Sequence, residues 1–237
     1  MAKHIEDFIP KDMESLFLSV ANLNMDYNER LSEDPNLPNP ELYMYYDGLK
    51  NRTVWLDDDV DETTAIPITK MILAWNREDN EKNTPIESRK PIKLFIYTCG
   101  GRVEEIFHIA DIIELSKTPV YTYNMGIALS AGLDILISGH KRFALKNSKA
   151  LYHSGSAGIS GTAEQIQSQT AQYSKQLEVL NSRVLEKTKI SKELLKKKKK
   201  SEWYISGEEQ LELGIVDEII TDINELLWGI YGRQKNY

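Results

Sequence analysis

The sequence predicts an α/β fold built on a mainly parallel sheet. Strand-like and helix-like segments alternate from Arg52 onward, the pattern of strands joined by helical crossovers. A chain of 237 residues with 41% hydrophobic and 27% charged residues is an ordinary globular mixture with room for one sizeable core.

Residues 1–40 read apart from residues 41–237, as an N-terminal extension or removable pro-segment. Met13 to Leu23 has the spacing of a short amphipathic helix. Ser32-Glu-Asp-Pro-Asn-Leu-Pro-Asn-Pro40 then interrupts regular structure with three prolines. Thr53 to Leu56 reads as a strand, and Thr64 to Trp75 as a helix with Ile66, Ile68, Ile72 and Leu73 as its apolar residues. Pro91 to Tyr97 is a strand, Val103 to Leu115 a helix and Val120 to Tyr123 a strand, after which Ser130 opens the next helix. From Thr162 to about Lys189, Ile166, Thr170, Tyr173, Leu177, Leu180 and Val184 recur every three or four residues along one stripe. A helix of that length, roughly 40 Å at 1.5 Å per residue, outreaches a compact domain, so it should project and need a partner. Ser206-Gly-Glu-Glu209 fits a capping box, and Gly214 ends that short helix before a strand over Ile215 to Ile220.

The chemistry concentrates in three places. Ser130 lies in Asn124-Met-Gly-Ile-Ala-Leu-Ser-Ala-Gly132, His153 follows 23 residues later at the end of a β-like run, and Gly100-Gly101 precedes both. A hydroxyl needs a neighbouring base to become a nucleophile. The oxyanion it creates needs fixed donors, which glycine turns offer because no Cβ blocks the approach. A serine before an apolar run is as often a helix cap, and a lone histidine is more often structural; the combination points to a serine hydrolase.

Five segments together resemble the proteolytic subunit of the Clp protease, the ClpP family, over about residues 41–222. They are Leu94-Phe-Ile-Tyr-Thr-Cys-Gly-Gly101, Met125-Gly-Ile-Ala-Leu-Ser-Ala-Gly132, Lys146-Asn-Ser-Lys-Ala-Leu-Tyr-His153, Gly158-Ile-Ser-Gly-Thr-Ala-Glu164 and the run from Tyr204 to Asp217. The resemblance implies a crotonase-like spiral of β-β-α units, with the long helix as a handle by which two heptameric rings meet as a tetradecamer. It implies a serine endopeptidase acting on unfolded polypeptides delivered by a separate AAA+ Clp ATPase. Ser130 would be the nucleophile and His153 the base, with the backbone N–H groups of Gly101 and Ala131 as oxyanion hole. The family's orienting aspartate falls, without a gap, on Glu202, 49 residues after His153; Asp217 is a less suitable acid at a strand end. Ser201 replaces an arginine usual before that acid. Lys93 replaces an aromatic of the ATPase-docking pocket to which Phe95 would contribute, and Cys99 replaces a proline. Cys99 is expected to be a buried structural thiol, and Arg102 to affect substrate preference.

Other readings remain beside this one. The departures at Glu202, Ser201 and Lys93 suit a weak or inactive ring subunit, and a shared fold suits a crotonase-like acyl-CoA enzyme that has no use for Ser130. An α/β-hydrolase esterase fits poorly, lacking Gly-x-Ser-x-Gly and having the acid after the histidine. A net charge of −7 argues against general nucleic-acid binding, and the Lys196 to Lys200 run is a solvated face. No phosphate-binding loop motif occurs, so ATP hydrolysis belongs elsewhere, and no cofactor or metal is expected. One cysteine, no basic-then-apolar leader and no apolar stretch of bilayer length together predict a cytoplasmic chain without a membrane span.

Overall fold

The computed structural model describes residues 40–228 with the exception of residue 199. The helix expected over residues 13–23 lies outside the described residues, as does all but the last residue of the 1–40 extension. The chain divides after Thr53 into two units. In the smaller one, helix α1 (Pro40–Lys50) starts on the proline whose fixed φ suits a first helical position. Within it, Tyr45 and Tyr46 meet edge to face at 5.8 Å.

The larger unit is a seven-stranded sheet clad with helices. Its strands are β1 (Thr53–Leu56), β2 (Ile92–Thr98), β3 (Val120–Leu129), β4 (Lys141–Leu145), β5 (Lys149–Tyr152), β6 (Trp203–Ser206) and β7 (Glu218–Ile220). The main path is β1-β2-β3-β4-β7, with β5 branching from β3 and β6 pairing with β5. β2/β3, β3/β4, β4/β7 and β3/β5 run parallel, and β5/β6 antiparallel. β2 buries every residue from Ile92 to Ile96, as a strand covered on both faces must.

The expected strand over Val120 to Tyr123 is the first part of a ten-residue β3 that changes partner midway. Tyr121 to Asn124 pair with β4, and Ile127 to Leu129 pair with β5. The switch occurs around Gly126 (φ 156°), where the Tyr97 ring packs so closely that a Cβ would stand 2.8 Å from it. The register against β2 slips at the same level, between Ile96 and Thr98.

Helix α2 (Glu62–Glu81) is longer at both ends than expected. Asp61 caps it, accepting from the N–H groups of Thr63 and Thr64 while the Thr64 hydroxyl accepts from the Asp61 N–H. Its inner face is Ala65, Ile68, Thr69, Ile72, Trp75 and Asp79, so Ile66 and Leu73 lie exposed. Beyond Trp75 the apolar period stops but polar anchors continue. Asn76 donates to Ser116 Oγ at 2.7 Å, and the Thr118 hydroxyl donates to Asp79 at 2.7 Å. Helix α3 (Val103–Leu115) packs on α2, where the Thr69 hydroxyl meets His108 Nε2 at 3.1 Å.

After β3 come α4 (Ala131–Ile137), then α5 (Ala163–Lys187) and α6 (Lys192–Lys198). α7 (Gly207–Glu212) starts at the expected Ser206–Glu209 capping box, and α8 (Ile223–Trp228) closes the described chain. The strand expected over Ile215 to Ile220 is shorter, because Asp217 turns aside to pair with Arg142 at 2.6 Å. α5 buries Leu180 and Val184 in its second half, whereas every residue from Ala163 to Gln172 is exposed.

Candidate active site

Two parallel strands end side by side and bring Ser130 and His153 together. Leu129 of β3 pairs with Leu151 of β5, and the Ser130 N–H donates to the Leu151 carbonyl at 3.0 Å. Ser130 leaves β3 with φ 52° and ψ −117°, a conformation few non-glycine residues adopt. This sharp turn from strand to helix holds the hydroxyl away from the cap position, and it makes no capping hydrogen bond. His153 comes one residue after β5 ends, and its Nε2 lies 2.7 Å from Ser130 Oγ.

The double glycine lies against the same turn. A Cβ on Gly100 (φ 113°) would stand 2.8 Å from Ser130 Cβ and 3.3 Å from the Ala131 nitrogen. Gly101 is held by a bridge to Val60, whose N–H donates to Gly100 O and whose carbonyl accepts from the Arg102 N–H, both at 2.8 Å. A Cβ at Gly101 would come within 2.2 Å of the Val60 oxygen, so only glycine permits this approach. Among the described residues, neither the Gly101 nor the Ala131 N–H meets an acceptor. Two unengaged donors therefore flank the serine turn, the arrangement an oxyanion requires.

A cleft of about 290 Å³ opens beside Ser130 and His153, with Val103, Ile106, Leu133 and Leu177 among its walls. Asp134, one turn beyond Ser130, also lines it, as do Tyr152 and Asn181. Burial pushes the Asp134 carboxyl up to about 7, against the pull of Arg183. Burial, with Asp134 as a lesser cause, raises the Tyr152 hydroxyl to about 12. Nothing in the residue pattern singled out Asp134, which the sequence shows only as one carboxylate inside an apolar run.

With this geometry in hand, comparison with known proteins assigns the family. A Clp protease family model matches residues 39–223, which is most of the chain. The chain belongs to the Clp protease family. It is 27% identical over 182 residues to the ATP-dependent Clp protease proteolytic subunit 2 of Treponema pallidum, covering 76% of this chain and 87% of that one. It is 29% identical over 199 residues to the corresponding subunit 2 of Corynebacterium efficiens, covering 81% and 96%. A proteolytic subunit 1 from Rhodopirellula baltica is 27% identical over 218 residues, covering 87% and 92%. The fold is accordingly the α/β Clp protease fold, as expected.

In this Clp protease chain Cys99 departs from expectation, and Glu202, Asp217 and Arg102 rest on partners outside the Ser130–His153 pair. Glu202 and His153 are not hydrogen-bonded; the Glu202 carboxylate accepts from the Tyr204 hydroxyl at 3.1 Å. Glu202 and Tyr204 are two residues apart and share the exposed side of the β6 segment. The β5/β6 ladder pairs Tyr152 with Trp203, so one further step of that register sets Glu202 across from His153. Asp217 is committed to the Arg142 guanidinium. Cys99 is exposed, contrary to the buried thiol expected, because the strand turns Thr98 inward and Cys99 outward. Arg102 pairs with Glu62 at 3.0 Å.

Phe95 is buried in an aromatic cluster, edge to face with Trp55 and Tyr123, and Tyr123 in turn stacks on Phe143. Lys93 is buried beside it and donates to the carbonyls of Leu226 and Leu227 at 2.8 and 2.9 Å, tying down the end of α8. Among the described residues, no cluster of His, Cys, Asp and Glu could hold a metal ion, and no helix is long and apolar enough to cross a membrane.

Proposed function

We propose that this chain is a serine endopeptidase subunit that cleaves unfolded polypeptides by acyl transfer. The observation that carries the reading is the 2.7 Å approach of His153 Nε2 to Ser130 Oγ on a strained strand-to-helix turn. The Ser130 hydroxyl donates to Nε2, and His153 takes that proton as Oγ bonds to the scissile carbonyl carbon. The N–H groups of Gly101 and Ala131 receive the oxyanion. His153 then protonates the leaving amine as the C–N bond breaks. Water adds to the acyl-enzyme with His153 again as base, and cleavage of the ester returns the proton to Oγ.

Glu202 completes the set by exchanging its Tyr204 partner for His153 Nδ1–H, which the ladder register supports. The named relatives are proteolytic subunits of an ATP-dependent protease. We therefore assign this chain to rings of the ClpP type, heptameric and able to stack as a tetradecamer, working in the cytoplasm with an AAA+ Clp ATPase.

A fluorophosphonate probe with intact-mass readout tests the chemistry. The parent chain should gain one phosphonyl group on Ser130, while Ser130→Ala gains none and loses peptide hydrolysis. Peptide turnover by Ser130→Ala near the parent rate would refute the nucleophile. The Glu202–Tyr204 hydrogen bond favours a second reading, a weak or inactive ring subunit; an unlabelled parent that assembles normally would decide for it.

A further inference from the structure

Resting on the serine peptidase reading, we propose that Asp134 and Asn181 form a polar end to the cleft beside Ser130 that selects a carboxamide side chain, glutamine or asparagine, at the residue preceding the cleaved bond. The cleft opens directly beside the two reactive groups, so the side chain on the acyl part of the substrate is the one that enters it. Its walls are mainly apolar, with Val103, Ile106, Leu133 and Leu177 suited to methylene groups.

Against these walls Asp134 stands out. Its residue surface is partly open, yet Oδ1 is shut off from solvent and has no hydrogen-bond partner. A buried oxygen without a partner is costly, and Asp134 lines the cleft, so a turn of its carboxyl that brings this oxygen to the cleft surface gains a bond from a ligand donor. Its position also fits. Asp134 lies four residues beyond Ser130, about 6 Å along a helix axis, and a side chain with two methylenes before its amide spans a comparable distance.

The neighbours decide between an amide and a cation. The Arg183 charge acts directly on the Asp134 carboxyl, and its guanidinium also donates to the Ser138 hydroxyl, which donates to the Asp134 backbone carbonyl, so a positive charge already faces this group. A second positive charge there is disfavoured, and burial has already shifted Asp134 towards its neutral form. Asn181 supplies the complement. Its Oδ1 is occupied by the Tyr152 hydroxyl at 2.6 Å, which turns its Nδ2 into the donor left for a ligand. An acceptor on Asp134 and a donor on Asn181 match the N–H and C=O of a carboxamide, whereas leucine would leave both unpaired.

Tripeptidyl diphenyl phosphonates carrying glutamine, leucine or lysine next to the phosphorus test this, read as the rate of Ser130 modification by intact mass. The parent should react with the glutamine probe at least tenfold faster than with the leucine probe. Asp134→Leu should reverse that order, and Asn181→Leu should reduce the preference severalfold, with circular dichroism confirming that each variant folds. A parent preference for leucine or lysine, or a ratio unmoved in both folded variants, overturns the proposal. The side-chain-free fluorophosphonate separates the two readings. A parent that takes this probe without glutamine preference refutes the carboxamide subsite alone, whereas a parent that refuses it refutes the serine peptidase and the subsite together.

Discussion

Ser130 adopts a backbone conformation that costs on the order of 1–3 kcal/mol, and the surrounding strands over-determine it. The Leu151 carbonyl fixes its N–H, and Gly100 packs against its Cβ. Of the described histidines, His108 and His140 are tied to helix and strand contacts, with Thr69 and with the Val120 N–H, and only His153 reaches the serine. Glu202 is the residue whose resting geometry differs most from its proposed role. Its carboxylate raises the pKa of the Tyr204 phenol above its ordinary value, so the hydroxyl keeps its proton, and this hydrogen bond must break for the acid to turn to His153. Glu202→Gln should lower peptidase kcat by roughly 10²–10⁴-fold, the range for losing the acid that orients a catalytic imidazole. Tyr204→Phe should leave kcat at or above the parent value, since it only releases the carboxylate. Steady-state hydrolysis checks both; a Glu202→Gln variant within twofold of the parent would remove Glu202 from the mechanism. The proposed nucleophile and base were legible as residue types at a given spacing. The Glu202–Tyr204 pairing was not, because the direction an exposed carboxylate takes is set by its side-chain torsions and not by residue spacing.

At the level of elements, the site is where β2, β3 and β5 end together, and two glycine-dependent approaches align them. Gly126 lets β3 change partner from β4 to β5, and Gly100 lets the end of β2 lie on the Ser130 turn. Gly100→Ala would place a methyl carbon 2.8 Å from Ser130 Cβ at φ 113°, strained for any side chain. Displacement of about 1 Å at a reacting group costs around 10²-fold, so fluorophosphonate labelling of Gly100→Ala should slow by at least that factor. Labelling at the parent rate would show that the glycine turn does not set the nucleophile's position. Alternation of strands and helices was readable from apolar spacing, and the Ser206–Glu209 cap from four residues. The end of α2 was not, since Asn76 and Asp79 anchor it through Ser116 and Thr118, about 40 positions away in sequence. Exposed Ile66 and Leu73 carry the same message: apolar spacing marked a stripe, and packing against α3 chose its side.

Across the whole molecule, the long helix α5 connects the cleft to the question of assembly. Its second half supplies Leu177, Leu180 and Asn181 to the cleft walls, whereas its first half, from Ala163 to Gln172, has every residue exposed. Ile166 continues the apolar stripe onto that exposed half, 39% accessible among the described residues. Where rings stack as proposed, this exposed half is the part of the 25-residue helix that the same helix of a facing copy would cover. In the proposed stacked rings, contact between these first halves would also bear on the cleft, because one rigid helix serves both. Ile166→Glu with Thr170→Glu places like charges one turn apart on each of the facing helices. The double variant should halve the particle mass measured by light scattering and slow peptide hydrolysis, while single-ring assembly persists. A parent that is monomeric at micromolar concentration, or a double variant of unchanged mass, would separate α5 from ring stacking.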